Sequence, residues 1–170
     1  MTSTQLGRFT VDDVDYEHTR DVLGTLSNPS TVRYLGLKPL RRPQDAMALI
    51  SRYRAGPARW LAVSEGAAFV GLVGLEVQGH QVTITLVSNG QRVGFGREFS
   101  RPLIAWIFSQ PQVWRLWSYV HVDNTAGQRV TERLGATKEG RLRRFAFFPN
   151  VSETEPQDVF VYSITRDDLR

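Results

Sequence analysis

Apolar residues along the chain repeat with two periods, two for strands and between three and four for helices, and the switches between them mark out the elements. Residues 9–14 read as a first strand. Asp15 then stands where it can cap a helix whose Tyr16, Thr19, Val22, Leu23 and Leu26 share a face, and Ser27-Asn28-Pro29 stops it. Residues 31–35 read as a short helical turn or a loop, and 39–42 as irregular. Pro43 suits the first position of another helix, with Ala46, Leu49, Ile50 and Tyr53 as its inner stripe and Gly56-Pro57 closing it. A meander follows, with strands at 59–64, 67–77 and 82–87 and turns at Glu65-Gly66 and 78–80. A further strand covers 113–122, and a short helix covers 124–134 with Ala126, Val130 and Leu134 inward and Gly135 as its left-handed stop. Strands at 137–148 and 158–164, joined by a polar loop, complete the chain.

The stretch between the fourth and fifth strands carries the most information. Val82, Ile84 and Leu86 alternate with Thr83, Thr85 and Val87, and then Phe95, Phe99, Leu103, Trp106 and Ile107 recur at helical spacing. Between them lies Gln91-Arg92-Val93-Gly94-Phe95-Gly96. Two glycines without Cβ atoms let a ligand approach the main chain where a helix begins, and the free N–H groups of that first turn favour anionic oxygens. A P-loop would need a lysine after the second glycine, and a dinucleotide fingerprint a third glycine; Phe99 stands where that glycine belongs. Asn89-Gly90 alone would also suit a hairpin, but the helical stripe follows at once. Pro102 inside this stripe should kink the helix or divide it near Glu98 and Phe99.

A helix joining the fourth strand to the fifth implies a parallel crossover in a mostly antiparallel sheet. The expected fold class is α/β (α+β), one domain over residues 1–170. Its mixed central sheet carries flanking helices, and the parallel fourth and fifth strands splay to open a gap at their C-terminal ends.

Composition narrows the chemistry. The chain of 170 residues is 41% hydrophobic and 22% charged, ordinary for a globular domain. It has no cysteine, which excludes disulfides, thiolate-ligated zinc and a cysteine acyl-enzyme, and three scattered histidines offer no metal site. No apolar run approaches a membrane span and no signal core opens the chain, so a cytoplasmic protein is expected. The net charge is +4, the pI about 9.8, and 19 of 21 cations are arginine. That suits a polyanionic ligand. A nucleic-acid binder is the alternative, with Arg141, Arg143 and Arg144 as its cluster, though no nucleic-acid motif accompanies them and charges on an edge strand also block pairing.

Gln91-x-x-Gly94-x-Gly96 resembles the acetyl-CoA signature of the Gcn5-related N-acetyltransferases, the GNAT superfamily. Asp123-Asn124, Arg129-Val130, Leu134-Gly135 and Glu139-Gly140-x-Leu142-Arg143, with Asp158 and Tyr162, are similar to the branch that acetylates ribosomal-protein N-termini (RimJ/RimL-like). The resemblance implies acetyl-CoA as co-substrate and transfer to an amine acceptor by direct attack in a ternary complex. The acceptor would be a protein N-terminus or a small-molecule amine; no membrane partner is implied, and a homodimer is compatible. It implies that pyrophosphate sits on the N–H groups of Arg92, Val93, Gly94, Phe95, Gly96 and Arg97. Pantetheine would pair with Leu86, Val87 and Ser88 and with Asn124, which could equally be a helix cap. Arg92, Arg97, Arg129 and Arg133 are candidates for the CoA phosphates.

The family often protonates the leaving thiolate with a serine three residues after the asparagine, or a tyrosine seven after it. Here these positions are Gly127 and Thr131, so a catalytically weak CoA-binding module is a second alternative. Candidates for moving the amine proton are His80, His121 and Asp123, with Glu76 more remote. His80 also reads as an exposed turn residue, and His121 as packing beside Trp117 and Tyr119. Tyr34, Arg33, Trp60 and Phe148 are expected on the acceptor side.

Overall fold

The computed structural model describes residues 3–90 and 95–169. Eight strands form one sheet: β1 (Thr4–Leu6), β2 (Phe9–Asp13), β3 (Arg59–Glu65), β4 (Ala68–Gln78), β5 (Gln81–Ser88), β6 (Arg115–His121), β7 (Thr137–Ala146) and β8 (Gln157–Thr165). Their spatial order is β1-β2-β3-β4-β5-β6-β8-β7. Every neighbouring pair is antiparallel except β5–β6, which is parallel as the intervening helix requires. The helices are α1 (Thr19–Leu26), α2 (Pro29–Val32), α3 (Pro43–Ala55), α4 (Phe95–Phe108) and α5 (Thr125–Arg133). Among the described residues no helix is long and apolar enough to cross a membrane.

Strand alternation sends the two sheet faces into separate cores. Val82 and Leu116 lie with Phe99, Leu103 and Ile107 of α4 on one face, while Ala62, Leu72 and Val87 lie with Val22, Leu26 and Ile50 of α1 and α3 on the other. Pro43 opens α3, where the Asp45 carboxylate accepts from the Arg42 N–H at 2.9 Å.

The structure corrects three expectations. A strand, β1, precedes the first one expected, so the fourth and fifth strands of the sequence reading are β5 and β6; Gly7, at φ 64°, turns β1 into β2. Asp15 caps a 3-10 turn over Tyr16–His18, and α1 begins only after it. Of the two outcomes expected at Pro102, a kink or a division, division is excluded, because α4 runs unbroken through it. The missing N–H removes one backbone bond, and burial of Phe99, Leu103, Ile104, Ile107 and Phe108 on the sheet outweighs that loss. The arginine cluster is engaged: Arg141 pairs with Asp158 and Arg144 with Glu155, which weakens the nucleic-acid reading.

One end of the parallel pair is tied down. The His80 carbonyl accepts the N–H groups of Trp114 (2.9 Å) and Arg115 (3.3 Å), and the Arg115 guanidinium binds Glu139 of β7 while Ser163 of β8 donates to the same carboxylate. The Arg115 guanidinium holds Glu139 down at about 2. A depressed carboxylate stabilises the fold fully above its unfolded value and loses that contribution as pH falls through the folded one. Glu139→Gln should therefore destabilise the fold at pH 7 by about 1 kcal/mol or less for so exposed a pair, seen as a lowered Tm, and the gap to the parent should close as pH falls from about 4.5 toward 2 in thermal melts.

Gly74 leaves room for a ring. A Cβ there would sit 2.8 Å from Cζ2 of Trp60, whose other side stacks on Tyr53 at 4.1 Å. With Trp60 held between them, Gly74→Ala should cost about 1–3 kcal/mol in denaturant melts, although alanine is otherwise the better strand residue.

Candidate active site

The β5–β6 ladder covers three residue pairs, Gln81↔Arg115, Val82↔Leu116 and Thr83↔Trp117, and goes no further. Both strands continue, β5 to Ser88 and β6 to His121, so they diverge. Beyond Thr83 the β5 edge that faces β6 has no ladder partner, while its other edge is paired with β4 as far as Gly71↔Ser88. The divergence opens a cleft of about 640 Å³ that communicates with both faces of the sheet.

On the α4 side the cleft is walled by Ile84, Leu86, Ser118 and α5. That helix has no buried residue, and its stripe of Ala126, Val130 and Leu134, read from the sequence as inward, faces the cleft. Val130 is 40% exposed, so an apolar helix face is left for a ligand to cover. Gln128 fastens α5 to the end of β6, its amide donating to the Val122 carbonyl at 2.7 Å.

Asn124 lines the cleft and caps α5, its Oδ1 accepting from the Gly127 N–H at 3.0 Å. The same side chain lies across Gly127, where a Cβ would stand 2.6 Å from Nδ2. Thr131 donates its hydroxyl to the Gly127 carbonyl at 2.9 Å, so that proton is engaged inside the helix. Tyr162, fully buried, donates to Glu132 at 3.0 Å; burial first, then that bond, pushes its phenol up to about 12. Neither hydroxyl is free to protonate a leaving group.

On the opposite face the walls are Tyr34, Trp60, Trp117, Phe147 and Phe148, with Arg52 of α3. Of the acceptor-side residues named from the sequence, Tyr34, Trp60 and Phe148 line the cleft, while Arg33 lies outside it with its guanidinium 5.5 Å from the centre of the Tyr34 ring. Asn150 ties the wall together by donating to the carbonyls of Val32 (2.8 Å) and Leu37 (2.7 Å).

His121 ends β6 on this face, 2% exposed. Tyr34 stacks on its ring at 4.8 Å and Phe148 meets it edge-on at 5.0 Å. Its Nδ1 accepts the Asp123 N–H at 3.0 Å, which puts the proton of the neutral ring on Nε2. The Asp123 carboxylate, 3.9 Å from Nδ1 and 75% exposed, is too distant for a hydrogen bond and turns to solvent. Nε2 is buried and has no partner. Of the two ring nitrogens, Nδ1 is therefore engaged by the Asp123 N–H and Nε2 is enclosed by the packing.

His80 sits in the β4–β5 turn at the tied end of the pair, eight residues or roughly 26 Å of strand from Ser88 at the open end, and does not line the cleft. The whole of β5 separates it from Ser88. Arg129 is exposed on α5 outside the lining, and Glu76 is likewise outside it, bonded to Gln78. Leu86, Val87 and Ser88 do lie along the open edge of β5. Gln91, Arg92, Val93 and Gly94 are outside the described residues, and Phe95, Gly96 and Arg97 are described only as the first backbone turn of α4. Sequence reading missed Ser118, Trp117, Phe147 and Arg52; the alternation of β6 could have assigned Ser118 and Trp117 to opposite walls.

A cleft that opens through a sheet, with an extended open strand edge on one side and an aromatic wall on the other, is the arrangement of a two-substrate transferase. Residues 8–137 match the family model described as Acetyltransferase (GNAT) domain. The chain is 25% identical over 156 residues to an uncharacterized N-acetyltransferase, YoaA, of Bacillus subtilis, spanning 85% of this chain and 86% of that protein. Its fold is like that of spermidine N-acetyltransferase from Vibrio cholerae solved with CoA and spermine (TM-score 0.78, 19% identity, 96% of this chain and 99% of that one). It is also like that of RimL, a ribosomal L7/L12 α-N-protein acetyltransferase solved with coenzyme A (TM-score 0.80, 15% identity, 98% and 99%). The chain belongs to the GNAT family: it is an N-acetyltransferase, with acetyl-CoA as its acyl donor.

If the apolar stripe of α5 is completed by the donor, CoA should slow amide hydrogen exchange across residues 125–133 by about tenfold or more, with little change in α1. Exchange mass spectrometry with and without CoA reads this directly.

Proposed function

We propose that the chain acetylates a primary amine by direct attack within a ternary complex, with the donor on the α4–α5 side of the divergent strands and the acceptor on the Tyr34–Phe148 side. The observation that carries this is the three-pair β5–β6 ladder, because one opening then serves both faces. The open edge at Leu86, Val87 and Ser88 is suited to the two amides of pantetheine, which need strand-like partners. Asn124 could add a bond from α5 if it left its cap. The amides and glycines of residues 92–97 are the proposed seat of the pyrophosphate, with Arg92, Arg97 and Arg129 as phosphate partners, on the strength of the sequence pattern.

In the transfer the amine nitrogen forms a bond to the thioester carbonyl carbon. The C–S bond then breaks with its electron pair on sulfur, the nitrogen loses one proton, and the thiolate takes one up. Amine and acetyl-CoA thus become N-acetyl amine and CoA. Among the described residues no carboxylate lines the cleft and the only charge there is Arg52, so the ammonium form of the acceptor is disfavoured and the free amine is the form that binds. Asp123, at the mouth and facing solvent, is the proposed proton outlet. A thiol near pKa 8.5 is a tolerable leaving group, so the engagement of Thr131 and the glycine at 127 slow the reaction rather than forbid it.

The motifs from Asp123 to Arg143 and the fold likeness to RimL support a RimJ/RimL-like branch, a protein N-terminus or small amine as acceptor, and a cytoplasmic setting.

Thiol release from acetyl-CoA over an amine panel tests the activity; CoA binding without turnover of any amine would favour the weak-module alternative. Gly94→Leu should weaken CoA affinity by about tenfold or more in calorimetry while leaving Tm within about 2 °C; unchanged affinity would remove the proposed pyrophosphate seat.

A further inference from the structure

Taking the proposed transfer as given, the acceptor's chemistry can be read from the charge of the cleft. Arg52, on the last turn of α3, is exposed and lines the opening on the Tyr34–Phe148 side. The arginines that follow it are matched, Arg54 with Asp15 at 2.5 Å and Arg59 with Asp13 at 2.6 Å. Arg52 has no carboxylate partner among the described residues. The cleft offers it none either, since no aspartate or glutamate is among the described lining residues and residues 91–97 contain none in sequence. Asp123 turns to solvent at the mouth. Glu76, which adds to burial in raising the Tyr119 phenol, stands toward the tied end outside the lining, bonded to Gln78 at 2.8 Å.

This unmatched cation stands beside an apolar surface. Tyr53, the next residue, stacks on Trp60 at 4.1 Å, and Gly74 of β4 leaves the space for that ring. Burial pushes the Tyr53 phenol up to about 12 against the opposing charge of Arg52, which puts the guanidinium near this stack. Tyr53 and Trp60 pack on the α1–α3 core, across the sheet from the α4–α5 side proposed for the donor, so Arg52 belongs to the acceptor's half of the cleft. Register gives the scale. Trp60 pairs with Gly74 and Gly74 with Thr85, so this end of α3 is two strands from β5, on the order of 10 Å at the usual strand spacing.

We infer that the acceptor is an amine whose body carries a carboxylate on the order of 10 Å from the reacting nitrogen, and that Arg52 is the specificity-determining residue that binds this carboxylate. The guanidinium gives the carboxylate two parallel N–H bonds. The aromatic wall covers the body between the two ends, and the amine reaches the opening between β5 and β6. One guanidinium balances one carboxylate. A phosphate dianion would bring a second negative charge without a partner, and a polyamine would bring a second ammonium beside a cation.

The test compares three phenethylamines that differ in the para substituent: a carboxylate, its neutral carboxamide and a trimethylammonium group. They are supplied at equal free-amine concentration to the parent and to Arg52→Gln, Arg52→Lys and Arg52→Glu, with CoA affinity and Tm measured alongside. The parent should favour the carboxylate over the carboxamide by about tenfold or more in kcat/KM, chiefly through KM, and the trimethylammonium compound should be the poorest. Arg52→Gln should bring the ratio toward one. Arg52→Lys should keep part of it, having the charge without the planar fork, and Arg52→Glu should put the trimethylammonium compound ahead of the carboxylate. Added salt should shrink the parent's preference and leave that of Arg52→Gln unmoved. Arg52 is exposed, so these changes spare the core, and CoA affinity should stay as in the parent. No carboxylate preference in the parent, or one unchanged in Arg52→Gln and Arg52→Glu, overturns the inference while leaving the transfer intact. Turnover of none of the three, with some other amine acetylated, does the same. A parent that binds acetyl-CoA and acetylates no amine overturns the proposed transfer, and this inference with it.

Discussion

The molecule depends on a parallel strand pair that is held at one end and open at the other. At the held end His80 lends its carbonyl to Trp114 and Arg115, and Arg115, Glu139 and Ser163 bind three strands together. After Thr83↔Trp117 the strands separate. In most sheets unpaired edges occur at the rim; here one lies in the middle of an eight-stranded sheet, between two separately packed cores. The separation is sustained because β5 stays fully paired to β4 and β6 to β8, so each half retains its backbone bonds while the gap between them has none.

Much of this was legible in the sequence because it rests on local periodicity. The strand that ends at Ser88, the helix from Phe95, the Pro43 helix start, the Gly135 stop and the parallel crossover all follow from spacing and from residues with restricted backbones. What escaped depends on distant partners. β1 has three residues, too few for alternation to register, and it exists because β2 offers it an edge. That β8 slips between β6 and β7 is a pairing across more than 40 residues from Ser118 to Tyr162, and no local pattern records it. Pro102 shows propensity giving way to burial. His80 and His121 carry the same lesson for the site. They looked comparable in the sequence, but register puts one at the held end and the other against Tyr34.

The departures at Gly127 and Thr131 form one local unit. Asn124 turns its side chain back to cap α5, and the space it occupies is the space a Cβ at residue 127 would need. Thr131 completes the unit by bonding to the same glycine's carbonyl. Positions 127 and 131 face the cleft, but the polar groups there are spent on the helix itself: Asn124 on its cap and the Thr131 hydroxyl on a backbone carbonyl. A serine at 127 would displace Asn124 from its cap, so acid catalysis and helix capping compete for one volume.

That trade makes the histidine more informative. On the α5 side Asn124 is engaged by the Gly127 amide, Thr131 by the Gly127 carbonyl and Tyr162 by the Glu132 carboxylate. Across the gap, three elements converge on His121, whose ring is packed by Tyr34 and Phe148 and whose Nδ1 accepts the Asp123 N–H, while Nε2 is buried without a partner. A group that packing alone required would be better filled by phenylalanine, which has no donor to strand. The α5 side of the cleft thus keeps an apolar face uncovered, and the opposite side a wall of rings packed on one another around His121.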